Sequence, residues 1–122
     1  CIGETLIQKK KKKTNQILSK QILKGLFKIN NLNKILIAYE PVWSIGTGVV
    51  PRSFELEKNI TFIKKILKNK FRIKNPKVLY GGSVNPKNAK NLAAINNIDG
   101  FLIGGASQKA NNFIDIVKKT II

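Results

Sequence analysis

The sequence predicts an α/β fold built on a parallel sheet, and three observations carry that expectation. Apolar residues recur at helical spacing in three segments. Between these segments lie short, unbroken apolar runs rich in β-branched residues, the pattern of strands buried on both faces. Each run then ends in glycine, serine or a carboxylate, the residue types that gather where strands deliver a ligand site.

Taken in order, Leu18, Ile22 and Leu26 mark a first helix over residues 14–29, and Ile35 to Ala38 a first strand. Leu56, Ile60, Ile63 and Leu67 mark a second helix, Val78 to Tyr80 a second strand and Phe101 to Ile103 a third. Phe113, Ile116 and Val117 mark the last helix. Strand, loop and helix alternate, and right-handed helical crossovers between parallel strands are the economical way to join them. Only the lysine run Lys9 to Lys13 interrupts the pattern, so residues 1–122 read as part of one domain.

Composition narrows the setting. No apolar run approaches the roughly 18 residues of a membrane span and no signal peptide stands in front, so a soluble, cytoplasmic product is expected. The single cysteine, Cys1, permits no internal disulfide and fits a reducing compartment. The sequence holds no methionine, so the expectation is a processed chain or a piece of a longer one. A lipoprotein also begins with cysteine, but Cys1-Ile2-Gly3-Glu4 runs straight into structured-looking sequence instead of a polar tether.

A net charge of +17 points first to nucleic acid. Arginine, whose fork suits phosphates and bases, occurs only at Arg52 and Arg72, and the lysines are spread along the chain. Lysine, isoleucine and asparagine dominate together, and all three have A/T-rich codons, so coding bias accounts for most of the charge. A basic nucleic-acid-binding module is the alternative class.

The strand ends are Tyr39-Glu40-Pro41, Gly81-Gly82-Ser83 and Gly104-Gly105-Ala106-Ser107. Glycines let backbone approach a ligand, and amide N–H groups aimed out of a turn bind anions. Tight turns alone would also explain either pair. Two such pairs on the same edge as a carboxylate favour a phosphate site.

The strings "CIGET", "AYEPVWSIGTG", "LYGGSVNP" and "GFLIGGAS", in this order and at these separations, resemble the triosephosphate isomerase family. The resemblance covers the chain throughout. It implies the C-terminal portion of a parallel (β/α)8 barrel, from the end of strand five through helix eight, since a complete barrel takes about 250 residues. It also implies an enzyme moving a proton between adjacent carbons of a triose phosphate through an enediolate, with Glu40 as the base. A free glutamate is a weak base at neutral pH and desolvation strengthens it; by resemblance Ile45 and Leu102 close over Glu40. The family is itself a standard illustration of a glutamate base working under a closing loop.

Pro41 to Gly48 then become the lid, with Pro41 fixing one hinge, Val42, Trp43, Ile45 and Thr47 in its body, and Gly46 and Gly48 freeing the other end. The resemblance implies that the Trp43 indole exchanges partners between Tyr39 and Glu4, and that Tyr80 and Ser83 hydrogen-bond the closed lid. Backbone amides of Gly46, Ser83, Gly104 and Gly105, with the Ser83 hydroxyl, would hold the phosphate. Ser107 is expected to cap the last helix and Cys1 to be a small buried apolar residue. The resemblance implies no metal or organic cofactor, a homodimer when full length, and neither nucleic acid nor membrane as partner.

The departures are specific. Ile7-Gln8 and five lysines replace an acidic-basic mix, and like charges at i,i+4 weaken a helix. Val49-Val50-Pro51 stands where the family has a polar pair, stiffening the lid's exit. The family also uses an Asn, a Lys and a His from its first four strands, and this chain contains no histidine. The segment alone is therefore expected to be inactive. Another phosphate-binding barrel would have no reason for the Glu-Pro-Val-Trp string.

Overall fold

The structure, a computed structural model, describes residues 1–121. Three parallel strands, β1 (Ile37–Tyr39), β2 (Val78–Tyr80) and β3 (Gly100–Phe101), lie side by side in chain order. Ile37 pairs with Val78 and Tyr39 with Tyr80, while Leu79 pairs with Gly100 and Tyr80 with Phe101. On the far side of β1, Ile2 forms a parallel bridge to Tyr39, donating from its N–H to the Ala38 carbonyl (2.9 Å) and accepting from the Glu40 N–H (2.8 Å). The first residues therefore occupy a fourth strand position. The fold is the expected parallel α/β arrangement.

Around the sheet stand helices α1 (Leu6–Lys10), α2 (Thr14–Gly25), α3 (Ser53–Phe71), α4 (Ala89–Ala93) and α5 (Ala110–Ile121). The stripes read for the first two helices form the core, whereas the last helix contributes Ile116 alone, since Phe113 is 43% exposed and Val117 half-buried. Leu18 and Ile22 of α2, Leu56, Ile60, Ile63 and Leu67 of α3, and Ile116 of α5 are buried with Tyr39, Val78 and Tyr80. Among the described residues no helix is long and apolar enough to cross a membrane.

Several local expectations change. The first strand starts two residues late, because Ile35 is only half-buried and Leu36 is exposed before pairing begins. The third strand is Gly100–Phe101, with Leu102 and Ile103 past its end. Helix α2 stops at Gly25, four residues short, and Lys28 turns to positive φ beyond it. The lysine run interrupts helical structure at Lys11 to Lys13, where Lys12 adopts a left-handed φ of 56° before α2 begins. Cys1 is exposed, not buried: it lies beyond the bridge at Ile2, beside a cavity along the outer side of β1. Ser107 does not cap α5. Its hydroxyl donates to the Gly104 carbonyl (2.7 Å), closing a 3-10 turn over Gly105–Gln108 ahead of the helix.

Asp99 sets the register between β2 and β3. Its carboxylate accepts from the Val78 N–H (2.8 Å) and pairs with Lys64 (2.7 Å) and Lys77 (3.1 Å), while its own N–H donates to the Val78 carbonyl (3.0 Å). Burial pushes this carboxyl up, but the bonds from Lys64, Val78 and Lys77 outweigh it and hold the group below the usual carboxylate range.

Candidate functional site

All three strands point their C-terminal ends to one edge, which collects the unusual residues. Glu40 follows β1 directly and is half-buried. Its side chain lies against the backbone of Gly81, where an added Cβ would sit 2.5 Å from Glu40 Cγ and Oε1. Gly3 has a related role: a Cβ there would overlap the Glu40 carbonyl, so only glycine lets the first strand segment run beside it. The Glu40 carboxylate makes no hydrogen bond or ion pair among the described residues, leaving its oxygens free to take a proton.

The lid expected from the sequence, Pro41 to Gly48, begins at a buried Pro41 with φ −53° and continues as a 3-10 turn over Val42–Ser44. Gly46 and Gly48 have φ of +67° and +76°, values that glycine adopts at little cost. Between them the Thr47 hydroxyl donates to the carbonyls of Trp43 (3.1 Å) and Ser44 (3.2 Å) and accepts from the Val49 N–H (3.1 Å). The Ser44 hydroxyl donates to the Val49 carbonyl, tying the two arms of the lid together. With that proton committed, the contact to Tyr80 (3.1 Å) has the Tyr80 hydroxyl as donor. Burial, reinforced by the charge of Glu4, pushes Tyr80 up to about 12, so its proton stays in place at neutral pH.

At its base the lid is held by a buried polar chain. The Trp43 Nε1–H donates to Glu4 Oε1 (3.0 Å), and the Tyr39 hydroxyl donates to the same carboxylate (3.1 Å to Oε2). Asn59 Nδ2 donates in turn to the Tyr39 hydroxyl (2.9 Å). Burial and then the charge of Glu4 raise the Tyr39 hydroxyl well above its ordinary range. Glu4 is fully buried, and these donors are what make a carboxylate tolerable there.

Ser83 adopts a φ of +50° and works against the lid, not towards open space. Its hydroxyl donates to the Ser44 carbonyl and accepts from the Gly48 N–H (3.0 Å). The expectation that this hydroxyl adds a donor to the phosphate site is therefore corrected: its proton is already used, and only the backbone N–H of Ser83 is available. Asn85 and Asn88 hold the Ser83 carbonyl through their Nδ2 groups (3.2 and 2.9 Å) and fix the turn.

Gly46, Ser83, Gly104 and Gly105 all line one cavity of about 420 Å³, together with Gly81 and Ile45. Beside Gly104 and Gly105 an added Cβ would meet nothing within 4 Å. The four N–H groups of Gly46, Ser83, Gly104 and Gly105 have no acceptor among the described residues. Several unpaired amides lining one cavity suit an anion. The apolar cover expected over Glu40 is incomplete, since Ile45 and Leu102 keep 49% and 41% exposure. Ser44, Asn59, Asn85 and Asn112, the last at the cavity wall, escaped sequence reasoning. Only the Asn85-Pro86 turn signal could have drawn attention to one of them.

A family model described as triosephosphate isomerase matches residues 1–120. Curated proteins named triosephosphate isomerase are similar along nearly the whole chain. The one from Thermodesulfovibrio yellowstonii is 46% identical over 120 residues, covering 97% of this chain and 49% of the relative. That from Dictyostelium discoideum is 43% identical over 125 residues, covering 99% and 49%. That from Rhizobium meliloti is 42% identical over 120 residues, covering 97% and 47%. The chain spans about half the length of the curated relatives it matches.

Proposed function

The chain belongs to the triosephosphate isomerase family, and we propose that within the full-length enzyme it supplies the base, the lid and the phosphate site for interconverting dihydroxyacetone phosphate and glyceraldehyde 3-phosphate. Residues 1–122 are then the C-terminal half of a single barrel domain, working in the cytoplasm as a homodimer in glycolysis and gluconeogenesis. The observation that carries the reading is the free Glu40 carboxylate packed on Gly81, a residue of the same cavity wall as Gly46, Ser83, Gly104 and Gly105, whose N–H groups have no acceptor among the described residues.

The chemistry follows from that placement. With the substrate phosphate on the amides of Gly46, Ser83, Gly104 and Gly105, the carbon chain extends towards Glu40. Glu40 removes a proton from one carbon, leaving an enediolate, and returns it to the neighbouring carbon. The lid excludes water during this interval, because a solvated enediolate phosphate would expel its phosphate. Polarising the carbonyl oxygen needs a donor, and the chain has no histidine to provide one. The 122 residues alone are accordingly inactive, and the missing half of the barrel restores turnover by adding that group.

Glu40→Gln in the full-length enzyme tests the assignment. It keeps the shape but cannot accept the proton, so kcat falls by about 10² to 10⁴-fold with little change in substrate affinity. More than a tenth of the activity surviving would remove Glu40 from the mechanism.

A further inference from the structure

We propose that Lys9, the first residue of the lysine run, positions the lid by clamping the face of Trp43. The Lys9 ammonium stands 3.9 Å from the centroid of the Trp43 ring and 2.6 Å from Glu55 Oε1, in the first turn of α3. Its place follows from the short helix α1. There the Thr5 hydroxyl accepts from the Gln8 N–H (3.3 Å) and Gln8 Oε1 accepts from the Thr5 N–H (2.9 Å), a reciprocal cap that fixes the turn from which Lys9 projects. Less than a third of either side chain is exposed, 28% for Lys9 and 32% for Glu55, so the cation is partly desolvated and its attraction to an indole is strengthened. Lys10 to Lys13 are exposed and form no ion pair among the described residues.

The indole is thereby held in two directions. Glu4 takes its N–H at the ring edge (3.0 Å) and Lys9 covers its face. Trp43 lies three residues after Glu40, in the first turn of the lid, so fixing its ring fixes the angle at which Pro41 to Gly48 leave the strand. Opening the lid would draw the ring away from both partners. Lys9 therefore weights the balance towards the conformation described here, acting through Trp43 and not on substrate. The inference rests on the reading of Pro41 to Gly48 as the lid.

The test uses the full-length enzyme labelled with 5-fluorotryptophan, the Trp43 resonance being assigned by its loss in Trp43→Phe. Lys9→Met, which keeps the stem and removes the charge, shifts that resonance and lowers kcat about fivefold. Lys9→Arg, whose guanidinium can stack and pair with Glu55, restores both. Glu55→Gln moves the resonance in the same direction by less, and serves if Lys9→Met does not fold. An unmoved resonance and kcat in Lys9→Met, or no rescue by Lys9→Arg, overturns the clamp. The isomerase reading fails separately: Glu40→Gln retaining wild-type turnover removes it, whatever Lys9→Met does to the resonance.

Discussion

Gly81-Gly82 and Gly104-Gly105 are the same dipeptide at the ends of neighbouring strands, yet they are glycine for opposite reasons. A side chain on Gly81 would run into the Glu40 carboxylate, and one on Gly82 into the hydroxyls of Tyr80 and Ser44. A side chain on Gly104 or Gly105 would meet no protein atom within 4 Å. The first pair is small because the protein fills the space around it. The second is small although the protein leaves that space open, and in the proposed function an anion fills it. A glycine pair thus reports close approach, and only its surroundings say whether the approaching group is protein or ligand.

Substitutions at the two pairs sharpen the contrast. Gly81→Ala carries the largest effect: the Glu40 side chain is flexible and yields, so the fold survives while the carboxylate proposed as the base is displaced by about an ångström. Turnover of the full-length enzyme falls about 10²-fold, with its melting temperature nearly unchanged. Steady-state kinetics alongside a thermal melt read this, and an equal loss in both would mean Gly81 is merely structural. Gly82→Ala presses on the rigid Tyr80 ring and the lid's Ser44, and destabilises by about 2 kcal/mol, measured by denaturant unfolding. Gly105→Val leaves unfolding without phosphate almost unmoved but weakens inhibition by inorganic phosphate about tenfold, because the branched side chain enters the cavity. Unaltered phosphate inhibition there would erase the distinction between the pairs.

The smallest effect concerns Asp99, which sets the register of the strands that carry both pairs. Its folded pKa lies below the ordinary aspartate value, so its contribution is complete above that value, near 3.9, and is lost as pH falls through the folded value. Unfolding midpoints followed from pH 6 down to pH 2 should drop more steeply in the parent protein than in Asp99→Asn.

How much of this was legible depended on the range of the interaction involved. Val78 to Tyr80 is legible because an apolar run bounded by turn residues is a local signal, and the stripes of α2 and α3 carry the core for the same reason, while of the α5 stripe only Ile116 joins it. The motifs likewise brought Glu40, Ser83, Gly104 and Gly105 to one edge. Hydrogen-bond partners were not legible. The Ser83 hydroxyl satisfies Ser44 and Gly48, 39 and 35 residues away in sequence, so the commitment of its proton there could not be foreseen. Ser44 looked like a neutral lid residue until folding set Tyr80 beside it. Lys9 was indistinguishable from its four neighbours until the cap at Thr5 and Gln8 chose which lysine faces Trp43.

The spatial order of the strands matches their order in the chain, with Ile2 beside β1, β1 beside β2 and β2 beside β3. This has a kinetic consequence. No strand must be inserted between two that are already paired, so the sheet can grow by adding one strand–helix unit at a time, each closing a loop of moderate length. Growth of this kind leaves a live edge at every step, and that edge templates the next unit while also inviting mispairing with another molecule. The time between completing one unit and docking its successor therefore sets how much chain is lost to aggregation, and solubility during synthesis becomes a race between the two.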